Sequence, residues 1–336
     1  MNANGLGIVF HLISLAVVFF ASFATEAFAQ IYHVKDMNTE QIRALDRETT
    51  VVILPGGILE QHGPYLPSFT DGYMNERLTQ DLANAIVERP GWKVLVFPII
   101  PRGAGGANII GEKYVFPGSH AVRPSTLRAV FMDLATELGE QGFRWIFIVH
   151  LHGGTAHNGA LNQAGDYFDE TYKGHMVNLT GHPLAFEARR DEVFKLMSEE
   201  ERREDASSTH AGLNETSRLL FLRPDLVNPD YKNAPPITPR DQKHRIEMAK
   251  EENWPGYFGS PRLASASFGA KAWRQVSSGT IDLALKILDG FDYKQAASRS
   301  ERKPVPALAA SLKAFREHIQ KMERKQQEWL REKGME

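Results

Sequence analysis

The sequence lacks cysteine altogether, and it lacks an excess of charge of either sign. Without thiolates, a metal site has to be built from Glu, His and Asp, a donor set that suits Zn²⁺, Mn²⁺ or Fe²⁺. The absence of cysteine fits an oxidising compartment and the cytosol equally well. The 39 Lys and Arg residues nearly balance the 41 Asp and Glu residues, so nothing indicates a nucleic acid or an anionic membrane as partner. A hydrophobic content of 42% indicates a globular chain.

One long apolar run is present, at residues 6–23. It is followed by an Ala-Phe-Ala sequence that ends at Ala29, a small-x-small pattern typical of signal-peptidase cleavage. We therefore predict that residues 1–29 are a signal peptide and that the mature protein is periplasmic or secreted, without stable membrane association. The segment before the run contains no Lys or Arg, so an uncleaved membrane anchor is the alternative.

Strand and helix patterns alternate along the rest of the chain. Near-continuous apolar runs predict buried strands at residues 51–54, 92–100, 145–149 and 175–179. Between and after them, helical spacing of apolar residues predicts helices over 73–88, from Pro124 to the region of Gly142, over 158–168 and over 281–288. This alternation is typical of an α/β fold in which helices cover both faces of a mostly parallel sheet, a three-layer α/β/α sandwich.

Two further stretches complete the predicted organisation. Residues 256–273 have the composition of a loop. The C-terminal segment 301–336 is strongly charged and carries apolar residues at helical spacing, which predicts a docked or oligomer-forming helix. We predict one domain over residues 30–300, followed by that helix.

The first candidate site follows the first predicted strand directly. Glu60 and His62 are two residues apart, so on an extended segment their side chains point to the same side. Asp71 lies just before a helical pattern, from where its carboxylate can reach back toward them. Glycines and prolines around these residues hold the chain in a fixed loop. The stretch thus offers three potential metal ligands; the alternative is a chance occurrence, since a Glu-x-His pair by itself is common in proteins of this size.

The second candidate is His152-Gly153-Gly154, which follows the third predicted strand. Ligands collect at the carboxyl ends of parallel strands, so His152 is expected near Glu60 and His62. The two glycines let the backbone approach a metal or a substrate closely. The alternative is a plain strand-to-helix turn with a solvated histidine.

The third candidate is the segment 210–217, His-Ala-Gly-Leu-Asn-Glu-Thr-Ser. His210 and Glu215, at a loop-to-helix junction, can face one pocket, one as a proton shuttle and the other as a metal ligand. The alternative is a helix N-terminus stabilised by the charge of Glu215. Two other histidines, His120 and His157, adjoin the motif loops and are expected to be solvated, with contact to the site as the alternative.

These stretches resemble the creatininase (creatinine amidohydrolase) family. The resemblance is carried by five motifs within residues 51–288, which are Gly56-Gly57 with Glu60-Gln61-His62-Gly63, Leu66-Pro67 and Thr70-Asp71; Phe116-Pro117-Gly118; His152-Gly153-Gly154; the 210–217 segment; and Gly259-Ser260-Pro261. It implies a creatininase-like fold and two divalent ions (Zn, Mn or Fe). The implied ligands are Glu60, His62, Asp71, His152 and Glu215, with Asp71 bridging. The implied proton shuttle is His210, and the implied substrate-lining residues are Gly118, Ser119, Gly153 and Gly154.

The chain departs from the family pattern at several positions. His150 and Thr155 stand where the family usually has Asn, and Ser208 stands where an acidic residue is frequent, so a carboxylate that orients His210 has to be Asp205 or lie elsewhere. Gly154 stands where the creatininases proper have a glutamate ligand, and we expect Glu215 to take that role. These departures leave the substrate open.

The sequence supports three functional hypotheses. The leading one is a metal-dependent amidohydrolase that cleaves a non-peptide C–N bond, cyclic or creatinine-like, with a metal-activated water. The second keeps the metals and changes the bond, as a formamide deformylase or a hydrolase of a modified peptide. The third is a secreted binding protein without catalysis. The resemblance also implies a small-molecule substrate and a homo-oligomer, commonly a hexamer.

Overall fold

The computed structural model describes residues 30–205, 209–296 and 308–335. The predicted signal peptide, residues 1–29, lies outside the described residues. The strands are β1 (Ile31–His33), β2 (Thr50–Pro55), β3 (Lys93–Val96), β4 (Trp145–Val149) and β5 (His175–Asn178). The α-helices are α1 (Thr39–Arg43), α2 (Thr70–Val87), α3 (Pro124–Glu140), α4 (Thr155–Tyr172), α5 (Pro183–Lys195), α6 (Glu199–Glu204), α7 (Leu213–Leu222), α8 (Gln242–Lys250), α9 (Ala266–Leu288) and α10 (Ala309–Glu332).

The strands form one parallel sheet in the order β1-β3-β2-β4-β5. The four predicted strands are present as β2 to β5. The edge strand β1 was missed, because three residues are too few to show the alternation that identifies a strand. Its residues pair with β3 in the register Ile31↔Val94 to His33↔Val96.

The two faces of the sheet bury separate cores. Val51 and Ile53 of β2 point to one face, where they join a core with residues of α2 and α9. Val52 and Leu54 point to the other, against residues of α3 and α4. All four side chains have 0% exposure, and burial of each stabilises the fold by about 1.5–3 kcal/mol. The predicted three-layer α/β/α arrangement is thus confirmed.

Two of the loops that carry the candidate site leave the same edge of the sheet. The segment after β2 runs from Gly56 to the start of α2, and the His152 loop joins β4 to α4. A backbone bond from Gly56 N to Val149 O, 3.0 Å, ties the two loops at their origin. Gly56 has no room for a side chain, since a Cβ there would lie 1.7 Å from the His150 ring.

The prediction of a loop over residues 256–273 was wrong in its second half, because α9 begins at Ala266. Ser265 caps this helix by accepting a hydrogen bond from Phe268 N, 3.2 Å. Gly269 lowers the apparent helical character of the sequence, yet a Cβ there would lie 1.8 Å from Ser217 O. The glycine therefore serves the close packing of α9 on α7.

The first turn of helix α10 lines the cavity in front of the candidate site through Ser311 and Leu312. Phe315 of this helix is buried, and the His318 ring of the same helix stacks on the Tyr114 ring with centroids 4.1 Å apart. Arg123 Nη1 pairs with Glu323 Oε1 at 2.7 Å. Among the helices in the described ranges, none combines the length and the hydropathy needed to cross a membrane.

Candidate metal centre

Two backbone features hold the carboxylates of Glu60 and Asp71 in place. Glu60 N donates to Ser68 O at 2.9 Å, which closes the loop after β2, and the Glu60 carboxylate accepts a hydrogen bond from Ala107 N. Helix α2 begins at Thr70 and thus earlier than the predicted residue 73, so Asp71 lies in its first turn, where the helix dipole favours a negative charge. Both residues are nearly inaccessible to solvent, with 1% and 2% exposure.

The three histidines of the site share one arrangement. In each ring, one nitrogen lies at a backbone carbonyl: His62 Nδ1 at Glu60 O (3.0 Å), His152 Nε2 at Gly105 O (3.0 Å) and His210 Nε2 at Gln61 O (2.6 Å). A carbonyl only accepts hydrogen bonds, so that nitrogen carries the hydrogen and the other offers its lone pair when the ring is neutral. This is how metal-binding histidines are usually oriented.

The second ring nitrogens all face carboxylate oxygens. His152 Nδ1 lies 2.9 Å from Glu60 Oε2 and 3.2 Å from Asp71 Oδ2. His62 Nε2 lies 3.5 Å from Asp71 Oδ1 and 3.8 Å from Glu215 Oε2, and it has no hydrogen-bond partner although it is buried. His210 Nδ1 lies 3.7 Å from Glu60 Oε1 and 3.9 Å from Glu215 Oε2.

These atoms form two ligand groups that share Asp71. One consists of Glu60, Asp71 and His152, and the other of His62, Asp71 and Glu215; within each, the donor atoms lie within 4.8 Å of one another. Asp71 turns Oδ2 toward the first group and Oδ1 toward the second. Each group offers one imidazole and two carboxylates, which suits a divalent ion such as Zn²⁺ or Mn²⁺. The unpartnered His62 Nε2 is a further reason why a metal fits. In a third set, Glu60, His62 and His210, the donor atoms also lie within 4.8 Å of one another.

In the metal-free cluster, protons on the histidines hold the positive charge that bound cations would otherwise supply. Burial lowers the pKa of His62, but Asp71 and then Glu215 outweigh burial and raise that pKa to about 9. Burial raises the pKa of Glu60, but His152 and His210 outweigh it and bring that pKa down to about 2. The pKa of Asp71 is lowered and that of His152 raised in the same way. Protons on imidazoles thus balance buried carboxylates, and divalent ions can take their place.

Two more histidines lie beneath the cluster. His150 and His157 are both wholly buried, and the His157 ring packs edge-on against His152 with centroids 5.0 Å apart. Burial lowers the pKa of His150 to about 3 and the pKa of His157 well below its usual value, with the charge of His152 adding to both shifts, so the two rings are neutral. The expectation that His157 is solvated was wrong, whereas His120 is exposed.

The segment 210–217 positions its residues through its backbone. Ala211 adopts a left-handed conformation with φ 51°, and its N–H donates to Glu215 Oε2 at 2.6 Å. Such a conformation is strained for a residue other than glycine and is common at functional sites. His210 is oriented by Gln61 O and not by a carboxylate; Asp205 instead accepts from the N–H groups of Leu213 and Ser260.

Gly154 cannot be replaced by a ligand residue without a shift, since a Cβ there would lie 2.7 Å from His152 Nε2. Glu215 comes instead to 3.8 Å from His62 Nε2. The structure therefore brings together every metal-ligand candidate of the sequence together with His210.

A cavity of about 810 Å³ opens in front of the cluster. Gly153 and Gly154 line it, as do two residues without a sequence signal of function, Asn214 and Arg218. Gly118 and Ser119 are not among the described lining residues. Ser119 Oγ accepts from Gln61 N at 3.1 Å and supports the metal loop from behind.

Comparisons with known proteins identify a family and a fold that match this chain. The family model described as creatininase, creatinine amidohydrolase, matches residues 35–284. The chain is 29% identical over 259 residues to a mycofactocin precursor peptide peptidase of Mycolicibacterium smegmatis, covering 73% of this chain and 89% of that protein. It is 25% identical over 235 residues to a creatinine amidohydrolase of Pseudomonas putida, covering 65% and 82%. A solved manganese form of creatininase has the same fold, with a TM-score of 0.56 at 22% identity over 76% of this chain and 98% of that one.

Proposed function

Because the chain belongs to the creatininase family, we propose that it is a metal-dependent amidohydrolase that cleaves an amide C–N bond with water. The observation that carries the proposal is the shared orientation of His62, His152 and His210. Each holds one ring nitrogen at a carbonyl and turns the other toward the carboxylates around Asp71.

We assign two divalent ions, zinc, manganese or iron, to the two groups that share Asp71. Glu60, Asp71 and His152 would hold one ion, and His62, Asp71 and Glu215 would hold the other. Five ligands with three carboxylates are more than one zinc ion usually takes. When bound, such ions lower the pKa of a coordinated water toward about 7 and polarise a carbonyl group.

The protein's own groups can carry the proton and support the cluster from behind. His210 Nε2 is fixed at Gln61 O, so Nδ1 is the atom that faces the cluster and can carry a proton to the leaving nitrogen. In the overall reaction the C–N bond breaks, the water oxygen joins the carbonyl carbon and the nitrogen gains a proton. The neutral rings of His150 and His157 pack behind the cluster and offer no competing charge.

The size of the cavity bears on the substrate. A volume of about 810 Å³ lies in the range of sites that enclose drug-sized ligands, roughly 300–1,000 Å³. A creatinine-like ring fills only part of it, so a larger amide or a modified peptide is favoured over a small cyclic amide. The similarity to a peptide peptidase points in the same direction. Formamide hydrolysis has no separate support in the geometry.

Replacement of His152 by Ala tests the proposal. We expect loss of bound metal and a fall in amide hydrolysis of at least about 100-fold, since changes in residues that merely support a ligand already cost about 10–100-fold. Metal content and released amine are measured on the same preparation, with the exposed His120→Ala variant as control. Hydrolysis that continues in metal-depleted protein would contradict the proposal, and metal without hydrolysis of any amide would favour a binding protein.

Export through residues 1–29 and assembly into a homo-oligomer stay predictions. Purification from the native host with N-terminal sequencing, which should begin at Gln30, would check the first, and light scattering would check the second.

A further inference from the structure

One charged side chain in the cavity lacks a partner. Arg218 follows Glu215 by three positions on α7, so the two lie on the same face of the helix with Cβ atoms about 5–6 Å apart. Arg218 lines the cavity, its Nε is buried, and none of the described residues accepts a hydrogen bond from it or pairs with it. Arginine keeps its charge in proteins. A guanidinium whose buried Nε–H has no acceptor therefore destabilises the protein unless a bound ligand supplies an acceptor.

Other arginines of the chain show the contrast. Their guanidinium groups pair with carboxylates at the surface: Arg89 with Asp289 at 2.6 Å, Arg223 with Asp225 at 2.7 Å and Arg262 with Glu204 at 2.5 Å. Arg218 has only the longer-range charges of Glu215 and Asp71 to oppose the effect of burial, which lowers its pKa. In the proposed function both carboxylates are committed to metal ions, which leaves Arg218 free to bind an anion.

The surroundings of Arg218 match an amide ligand with an apolar body. The Asn214 Oδ1 atom, also in the cavity wall, is buried without a partner and can accept a hydrogen bond from a ligand N–H. A second arginine, Arg245, lines the same cavity. The apolar part of the wall comes from several helices and includes Met74, Val193, Met197, Val276, Leu308 and Leu312.

We propose that Arg218 binds a carboxylate of the substrate, and that the substrate is an amide with a carboxylate a few bonds from the scissile C–N bond. N-acyl amino acids and the C-terminal residue of a peptide share this chemistry. The bidentate geometry of a guanidinium suits a carboxylate, and the short distance along α7 places that carboxylate beside the metal ligand Glu215. The inference rests on the proposed function of the site.

The test uses the metal-loaded full-length protein and two matched pairs of probes. N-acetyl-L-phenylalanine is compared with its primary amide, and the tripeptide Ala-Ala-Phe with its C-terminal amide. We expect the wild-type protein to bind the free acid of at least one pair about 10- to 100-fold more tightly than the amide. The pair that shows the larger preference separates an N-acyl amino acid from a peptide end.

Arg218→Met should abolish this preference while the dissociation constant of the amide probe and the metal content stay unchanged. Arg218→Lys should keep part of it, and Arg223→Met, whose arginine pairs with Asp225 outside the cavity, should keep all of it. The proposal is overturned if the wild-type protein shows no preference, or if Arg218→Met keeps the preference, because the carboxylate then binds elsewhere, for example at the metals.

Should Arg218→Met fail to fold, Arg218→Gln, which retains a polar side chain, takes its place. A wild-type protein that binds no metal refutes the proposed function itself, which separates the two failures.

Discussion

The inner and outer ends of the cavity are built in different ways. At the inner end, the ligand side chains come from loops at the edge of the sheet and from the first turns of α2 and α7. Backbone carbonyls fix each imidazole there. At the outer end, Leu308 and two residues of the first turn of α10, Ser311 and Leu312, contribute to the wall. Within α10 only Ser311 and Phe315 are buried, and the helix lies beyond the residues that match the family model. The comparison indicates that the sheet fixes the chemistry and that the added helix shapes what can enter.

The largest effect is expected at the inner end, when pH changes the competition between protons and metal. The pKa of His62 is raised to about 9 and that of His152 is raised as well, so both rings hold protons in metal-free protein at neutral pH. Metal binding must release these protons, so the apparent affinity falls as the pH falls below 9. We expect a change of about 10- to 100-fold per pH unit between pH 6 and 8.

Isothermal titration in two buffers of different ionisation enthalpy counts the protons released. A release of about two protons per chain at pH 7 agrees with the raised pKa values of the two histidines. Binding without proton release would show that His62 and His152 are neutral before the metal arrives, and the charge balance inferred for the cluster would be wrong.

A smaller effect is expected at the outer end. Leu312→Ala shortens the apolar wall without touching the cluster, so metal content should stay the same and the probe N-acetyl-L-phenylalanine should bind about 3- to 10-fold more weakly. Trp329→Ala is the matched control, since Trp329 lies on the same helix and is 52% exposed. Equal effects of both substitutions, or a loss of metal in Leu312→Ala, would show that the two ends of the cavity are not independent.

The same contrast explains which residues of the candidate site could be predicted from the sequence alone. Glu60, His62 and His152 follow apolar runs, and the carboxyl ends of parallel strands meet at one edge, so their proximity could be predicted from topology. Asp71 could be placed near them from its position before a helix. Its role as a ligand, like that of Glu215, required the resemblance to a family, because nothing local distinguishes a ligand from a carboxylate at a helix N-terminus. The resemblance implied that Asp71 bridges two ions, but which ligands join Asp71 in each group follows only from the three-dimensional structure.

Other features carried no signal in the sequence. Arg218 has the pattern of an ordinary helical charge, and only the packing of α7 leaves it in the cavity without a partner. His157 lies in the first turn of α4, where a solvated histidine is equally compatible with the sequence, and tertiary packing buries it. Gly269 lowers the helical propensity of α9, and the reason for it, the backbone of Ser217, is far away along the chain.

The central proposal is that the two ligand groups that share Asp71 each hold one metal ion. Crystals of the metal-loaded protein, measured on both sides of the zinc and manganese absorption edges, test it most directly. The account predicts two anomalous peaks, each within coordination distance of one Asp71 oxygen, one beside Glu60 and His152 and the other beside His62 and Glu215. One peak, or two peaks of which neither contacts Asp71, would contradict it.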